Sequence, residues 1–189
     1  MKRKRKHLSK DEIAYMMRAQ ADHLRNARKS AYFGICGIIY KILTDENGEN
    51  LSDEKLMQHF DRFQEYVNLV GEYGEAELDL LKDRYNSEIG SEREKAEYRE
   101  SVVHIKKTNN PTWYFEMNKV VIDNMITDEF DKLMLCHLNT LMDMGWSKKR
   151  VINHKHRMND FVEYELDNIP FQKIIDELSD RGIDIKVEF

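Results

Sequence analysis

The chain has 189 residues, 41% of them hydrophobic and 34% charged, with a formal net charge of −5. A chain of this length can bury a sizeable core, as one domain or as two small ones. It has no apolar run of the length that crosses a bilayer and no apolar segment behind its basic start, so neither a membrane span nor a secretory signal is expected. Cys36 and Cys136 lie singly in apolar helical patterns, which predicts reduced core thiols in a cytoplasmic protein.

The charge is unevenly distributed. Residues 1–10 (MKRKRKHLSK) hold six Lys or Arg and no acid, so the rest of the chain has 24 basic against 35 acidic residues. We expect residues 1–10 to form a flexible basic tail in which Lys2, Arg3, Lys4 and Arg5 could contact the phosphates of DNA or RNA. The acidic remainder has the wrong sign for a protein that binds nucleic acid over its whole surface.

Residues 11–100 are predicted to form a first helical module. Ser9 and Glu12 form a capping box ahead of a long helix, which passes Gly34 and Gly37 before a turn at 45–48. Ser52 begins the clearest amphipathic helix of the chain, which Gly71 and Gly74 end. A shorter helix follows up to Gly90.

Residues 101–127 are expected to connect two modules, and two structures fit their sequence. A β-hairpin over 101–117 would turn at Thr108-Asn109-Asn110-Pro111. A helix starting near Pro111 fits equally well, because Trp113, Met117, Val120 and Val121 recur at helical spacing.

Residues 128–189 are predicted to form a second helical module. One helix follows Thr127 and ends at Gly145, a second begins at Ser147 and runs to about Glu165, and a third lies between Pro170 and Gly182. Residues 183–189 alternate strictly between apolar and polar, which predicts a C-terminal strand. Its partner would be the hairpin or a second copy of the chain, in a homodimer. The predicted class is therefore mainly α with a small β element.

The two modules resemble each other at an offset of 95 residues. Ser52 aligns with Ser147, His59 with His154 and Arg62 with Arg157. Duplication and chance similarity between capped amphipathic helices both explain this match. If the repeat is real, the copies differ most in charge, because residues 147–157 hold five basic residues where 52–62 hold three acids.

That basic segment is the strongest candidate site. Positive charge in the first turn of a helix opposes the helix dipole and favours an anionic partner there. Acids elsewhere in the chain could equally neutralise it, and Trp146 could either stack on a base or belong to the core. The candidate anion- or nucleic-acid-binding residues are Trp146, Lys148, Lys149, Arg150, Lys155 and Arg157.

No metal, cofactor or catalytic site is expected. His154 and His156 point about 200° apart on a helix and could not chelate one ion, while His59, His104 and His137 have no partner at ligand spacing. The sequence contains no Gly-rich phosphate loop and no nucleophile elbow. We therefore expect a protein that is not an enzyme.

The segment Gly145-Trp146-Ser147-Lys148-Lys149-Arg150-Val151, with Gly182-Ile183-Asp184 near the end, resembles uncharacterised small helical proteins of bacteriophages and prophages of Gram-positive bacteria. The resemblance covers about residues 128–185 and implies a phage or mobile-element origin in a bacterial host cell. Two functions then compete. One is a binding protein that inhibits a host defence or replication machine by contacting a protein or nucleoprotein complex. The other is a nucleic-acid-binding accessory protein.

Overall fold

The computed structural model describes residues 9–45, 49–89, 111–164 and 171–183. Six α-helices lie in these ranges, and they confirm that the protein is mainly α. They are α1 (Lys10–Thr44), α2 (Asp53–Tyr73), α3 (Glu75–Ile89), α4 (Pro111–Asp143), α5 (Lys148–Tyr164) and α6 (Phe171–Asp180). None of these helices combines the length and the apolar run that crossing a membrane requires.

The helices of the described ranges begin and end close to the predicted signals. At the start of α1 the Ser9 hydroxyl accepts the Glu12 N–H at 3.1 Å, and the Glu12 carboxylate accepts the Ser9 N–H at 2.8 Å. Ser52 occupies the N-cap of α2, and Gly74 its C-cap. Gly74, Gly145 and Gly182 have positive φ angles, a conformation that glycine adopts without the steric cost of a Cβ atom.

The start of α4 differs from the predicted helix start after Thr127, and it decides between the hairpin and the helix predicted near Pro111. The helix begins at Pro111 and passes Thr127 without a break, so the predicted helix start after Thr127 is wrong. Residues 111–117 are helical rather than the second arm of a hairpin. Proline suits the first position of a helix, where its missing N–H leaves no hydrogen bond unmade. Residues 101–110 and residues 184–189 of the predicted strand lie outside the described ranges, so the homodimer through that strand stays a prediction.

Buried side chains from both halves of the chain form one hydrophobic core. α1 and α4 make the most extensive contact between helices, α2 and α3 pack against α4, α6 packs against α1, and α5 lies against both long helices. The proposed boundary between residues 127 and 128 falls inside α4. The two predicted modules therefore share a single core, and their origin by duplication stays a prediction.

Asp143, at the C-terminal end of α4, connects three helices. Its carboxylate accepts hydrogen bonds from Arg62 (2.7 Å) and Tyr66 (2.7 Å) of α2 and from Arg84 (2.6 Å) of α3. Burial acts to raise the pKa of Asp143, but these hydrogen bonds outweigh it and hold the pKa below its ordinary value. A negative charge at a helix C-terminus is unfavourable, and the two arginines offset it.

Phe63 is the largest of the fully buried side chains of α2. It is fully buried and stacks on the rings of Tyr32 and His59. We expect Phe63→Ala to lower the free energy of unfolding by about 3–5 kcal/mol, because it leaves a cavity among rings that cannot close it. Leu69→Ala on the exposed side of the same helix should cost less than about 1 kcal/mol. Chemical denaturation of both variants measures the difference, and equal effects would contradict this packing.

Candidate functional site

The first turn of α5 presents two exposed lysines. The carbonyl of Ser147 accepts the N–H of Val151 at 3.0 Å, which places Ser147 at the helix start and Lys148 and Lys149 in the first turn. Both lysines are exposed, and neither forms an ion pair with any residue in the described ranges. An anion site at these two residues stays a prediction.

Arg150, by contrast, is bound to a carboxylate of the same chain. Its Nε and Nη2 donate to Oε2 of Glu49 at 3.0 and 2.7 Å. Glu49 is positioned by the connection between α1 and α2, where Asn50 has a φ of 44° and the N–H of Leu51 donates to the carbonyl of Leu43. The pKa of Glu49 falls to about 2, because His154 and Arg150 favour its charged form and outweigh its burial.

Trp146 belongs to the core, the second of the two roles expected for it. Its side chain is only 8% exposed. The guanidinium of Arg150 lies 3.7 Å from the centre of the indole ring, and the ring of His154 meets it edge-on at 5.4 Å between ring centres. A base could stack on that face only by displacing Arg150.

The two remaining basic candidates of α5 also have partners. Arg157 lies 3.6 Å from the carboxylate of Asp45, at the end of α1. The ammonium of Lys155 lies 5.6 Å from the centre of the Tyr85 ring. Lys2, Arg3, Lys4 and Arg5 lie outside the described residues. Neutralisation by acids of the same chain, the alternative weighed for this segment, thus applies to both arginines.

Behind this surface lies a feature that the sequence did not reveal, a row of three histidines from three helices. Nε2 of His59 (α2) lies 2.8 Å from Nδ1 of His137 (α4), and Nε2 of His137 lies 2.8 Å from Nε2 of His154 (α5). All three side chains are fully buried. We call His59, His137 and His154 the histidine chain.

Glu49 determines how the protons are arranged along the histidine chain. Nδ1 of His154 lies 3.9 Å from Oε1 of Glu49, too far for a direct hydrogen bond but near enough for strong electrostatic attraction. A proton on that nitrogen is therefore favoured. Each neutral ring has one donor and one acceptor, so His137 must then donate from Nε2 and His59 from Nε2. Nδ1 of His59 is then a bare acceptor, and among the described residues neither it nor the N–H at Nδ1 of His154 has a hydrogen-bond partner.

Burial keeps the three rings neutral. It lowers the pKa of His59 to about 3, with a smaller contribution from His154. Burial also lowers the pKa of His137 well below its ordinary value, and the two neighbouring histidines add to the effect. The pKa of His154 is lowered by burial too, although Glu49 opposes this. Desolvation and nearby charges both shift the pKa values of these histidines, and desolvation has the larger effect.

The histidine chain is not arranged as a metal site. His137 directs one ring nitrogen at His59 and the opposite one at His154, so the three rings do not converge on a single point. Within the described ranges, no three His, Cys, Asp or Glu side chains are placed to hold a metal ion.

One sequence signal pointed towards this cluster. The offset of 95 residues pairs His59 with His154, and the structure brings these two to opposite nitrogens of the same ring on α4. Each also falls on the apolar stripe of its helix, beside Phe63 in α2 and Met158 in α5. Spacing along one helix, the usual guide to histidine pairs, could not show contacts made across three.

Comparison of the chain with protein-family models, with curated proteins and with solved structures found no match.

The contact between Glu49 and Arg150 can be tested by a double-mutant cycle. We expect Glu49→Ala and Arg150→Ala to be non-additive by about 0.5–1 kcal/mol in unfolding free energy, because each removes the same partly exposed ion pair. Glu49→Ala and Lys148→Ala should be additive, since Lys148 forms no ion pair with any described residue. Additivity in the first cycle would show that Arg150 is not held by Glu49 in solution.

Proposed function

We propose that this is a binding protein that acts by protein–protein contact, and that its α2–α3 surface docks on a basic surface of its partner. The observation that supports this best is the combination of exposed apolar side chains with a strong excess of negative charge on these two helices. We define the α2–α3 surface as the exposed side chains of residues 53–89.

The charge of this surface is strongly negative. α2 and α3 contain ten Asp or Glu against four Lys or Arg. Two of those four, Arg62 and Arg84, bind the carboxylate of Asp143, which lies on α4. The acids therefore outweigh the positive charge that remains for a partner, and the resulting field would attract a basic protein surface and raise its rate of association.

Apolar side chains lie exposed on the same two helices. Leu80 is 63% exposed, Tyr73 57%, Met57 39% and Leu69 37%. Leu69 and Tyr73 are four residues apart, so they are neighbours on one side of α2. Tyrosine and methionine are enriched in protein interfaces. Their burial there supplies most of the binding free energy that electrostatic attraction does not supply.

A cleft of about 730 Å³ beside α2 offers a place for a basic side chain of the partner. Its lining includes the carboxylates of Glu54, Asp61 and Glu65, the side chains of Met57 and Met144, and Arg62, which pairs with Glu65 and leaves Glu54 and Asp61 for a partner. The methionines can cover the aliphatic stem of a lysine or arginine while the carboxylates face its charged end. This arrangement suits a protein partner better than the phosphates of a nucleic acid, which the acids would repel.

The resemblance to phage proteins supplies a setting for this activity. A phage-encoded acidic protein in a bacterial host could occupy the nucleic-acid-binding groove of a host defence or replication machine, whose surface is basic. Inhibition by occupation of such a groove needs no catalytic group on the inhibitor.

The proposal is tested by affinity capture from a lysate of a Gram-positive host, followed by a binding measurement with the purified partner. We expect Leu69→Ser/Tyr73→Ser to weaken binding about tenfold or more, because both side chains would be buried in the interface. Lys148→Ala/Lys149→Ala is the matched control on α5 and should bind as the unmodified protein does. A partner that distinguishes neither variant, or only the lysine variant, would contradict the proposed surface.

Nucleic-acid binding remains the second candidate, because Lys148 and Lys149 are exposed in the first turn of α5. That activity predicts binding to duplex or single-stranded DNA or RNA that weakens steeply with salt. Lys148→Ala/Lys149→Ala should then reduce it, while Leu69→Ser/Tyr73→Ser should not. Undetectable binding at low salt would exclude this candidate.

A further inference from the structure

The histidine chain has no role in the proposed contact, and packing alone does not account for it. Apolar side chains of similar size would fill the same space without burying polar nitrogens. Each of the two N···N contacts, at 2.8 Å, is instead a hydrogen bond between different helices. The chain thereby connects α2 to α4 and α4 to α5.

The histidine chain can hold only a limited number of protons while its two N···N contacts stay closed. Three neutral rings carry three protons: one in each N···N contact and one on Nδ1 of His154, towards Glu49. A fourth proton leaves an N–H at Nδ1 of His59, which is buried and has no hydrogen-bond partner in the described part of the chain. A fifth would place two N–H groups face to face in one contact, which must then separate.

The charged groups around the histidine chain are unevenly placed. Glu49 and Arg150 face the His154 end, and Arg157 lies there too, with Asp45 from the end of α1 beside it. From α3, the buried Tyr85 lies beneath the ammonium of Lys155, which belongs to α5. Around His59 the described neighbours are the rings of Phe60, Phe63 and His137. A positive charge is thus stabilised near Glu49 and opposed near His59.

We propose that the histidine chain is an acid-sensitive latch, which holds α2 against α4 while its rings are neutral and releases α2 when they take up protons. The contact between His59 and His137 is the one that separates, because the His154 end keeps the compensating carboxylate of Glu49. Release would loosen the helix that carries three of the four exposed apolar side chains of the α2–α3 surface, although the latch itself does not depend on the proposed binding activity.

The direction of the pH dependence follows from where the protons are bound. In the closed state burial lowers the pKa values of His59 and His137, whereas in an open state they return towards the ordinary value of about 6.5. The open state therefore binds more protons than the closed one. The closed state is fully favoured above about pH 6.5 and loses its advantage as the pH falls below that value.

The test is a pH titration of the full chain with ¹⁵N-labelled histidine, from about pH 8 down to about pH 3, where the closed-state pKa of His59 lies, combined with amide hydrogen exchange. We expect His59 and His137 to take up protons in one step, steeper than a single titration, and α2 to lose exchange protection over the same pH range while α1 retains it. Independent titration of these two rings near pH 6.5, with α2 still protected, would overturn the proposal.

Two variants sharpen the result. In His59→Phe, a ring of similar size packs against Phe60 and Phe63 but takes up no proton, so the step should move to lower pH and involve about one proton fewer. His156 lies on the exposed side of α5. In His156→Gln, the three buried histidines should therefore titrate as they do in the unmodified chain. If His59→Phe leaves the pH and the proton number of the step unchanged, the proposed latch is wrong. If this variant does not fold, the titration of the unmodified chain still tests the proposal.

Discussion

The hydrogen bonds between His59, His137 and His154 connect α2 to the consecutive helices α4 and α5 of the other half of the chain. His59 and His137 are 78 residues apart, so this contact joins the two halves of the chain directly. Desolvating three imidazoles is unfavourable unless their nitrogens are paired, and pairing requires each ring to take one tautomer. The position of α2 on α4, and of α5 beside it, is therefore coupled to the protonation of three side chains in the core.

The polar groups around this core explain why the basic segment 147–157 is less available to an anionic partner than its sequence indicates. Glu49 faces both the histidine chain and Arg150, and Arg150 in turn covers Trp146. The carboxylate that orders the core thus also neutralises part of the surface above it. On α2 and α3, Arg62 and Arg84 bind Asp143 and also pair with Glu65 and Glu88, and the remaining acids of these helices outnumber their two lysines. The surface offered to a partner is accordingly more acidic on α2 and α3 than on α5.

Much of the fold follows from local signals in the sequence. Ser9 and Glu12, Ser52, Gly74, Gly145 and Gly182 mark helix ends by chemistry that acts within a few residues, and the structure confirms them. The start of α4 was misplaced at Thr127, because a polar residue before an apolar run is typical of an N-cap even where an earlier proline begins the helix. The partners of Arg150 and Arg157 and the meeting of three histidines could not be predicted, since they depend on tertiary packing. A charge pattern alone cannot show which acids lie within reach.

The contacts between α2, α4 and α5 depend on the order of protons in the histidine chain at neutral pH. The ¹⁵N spectrum of histidine-labelled protein, assigned with single His→Gln variants, reports the tautomer of each ring. The structure predicts three neutral rings, with the proton on Nε2 in His59 and His137 and on Nδ1 in His154. Rings that are charged, that average between tautomers as in free solution, or that place the proton of His154 on Nε2 would contradict it.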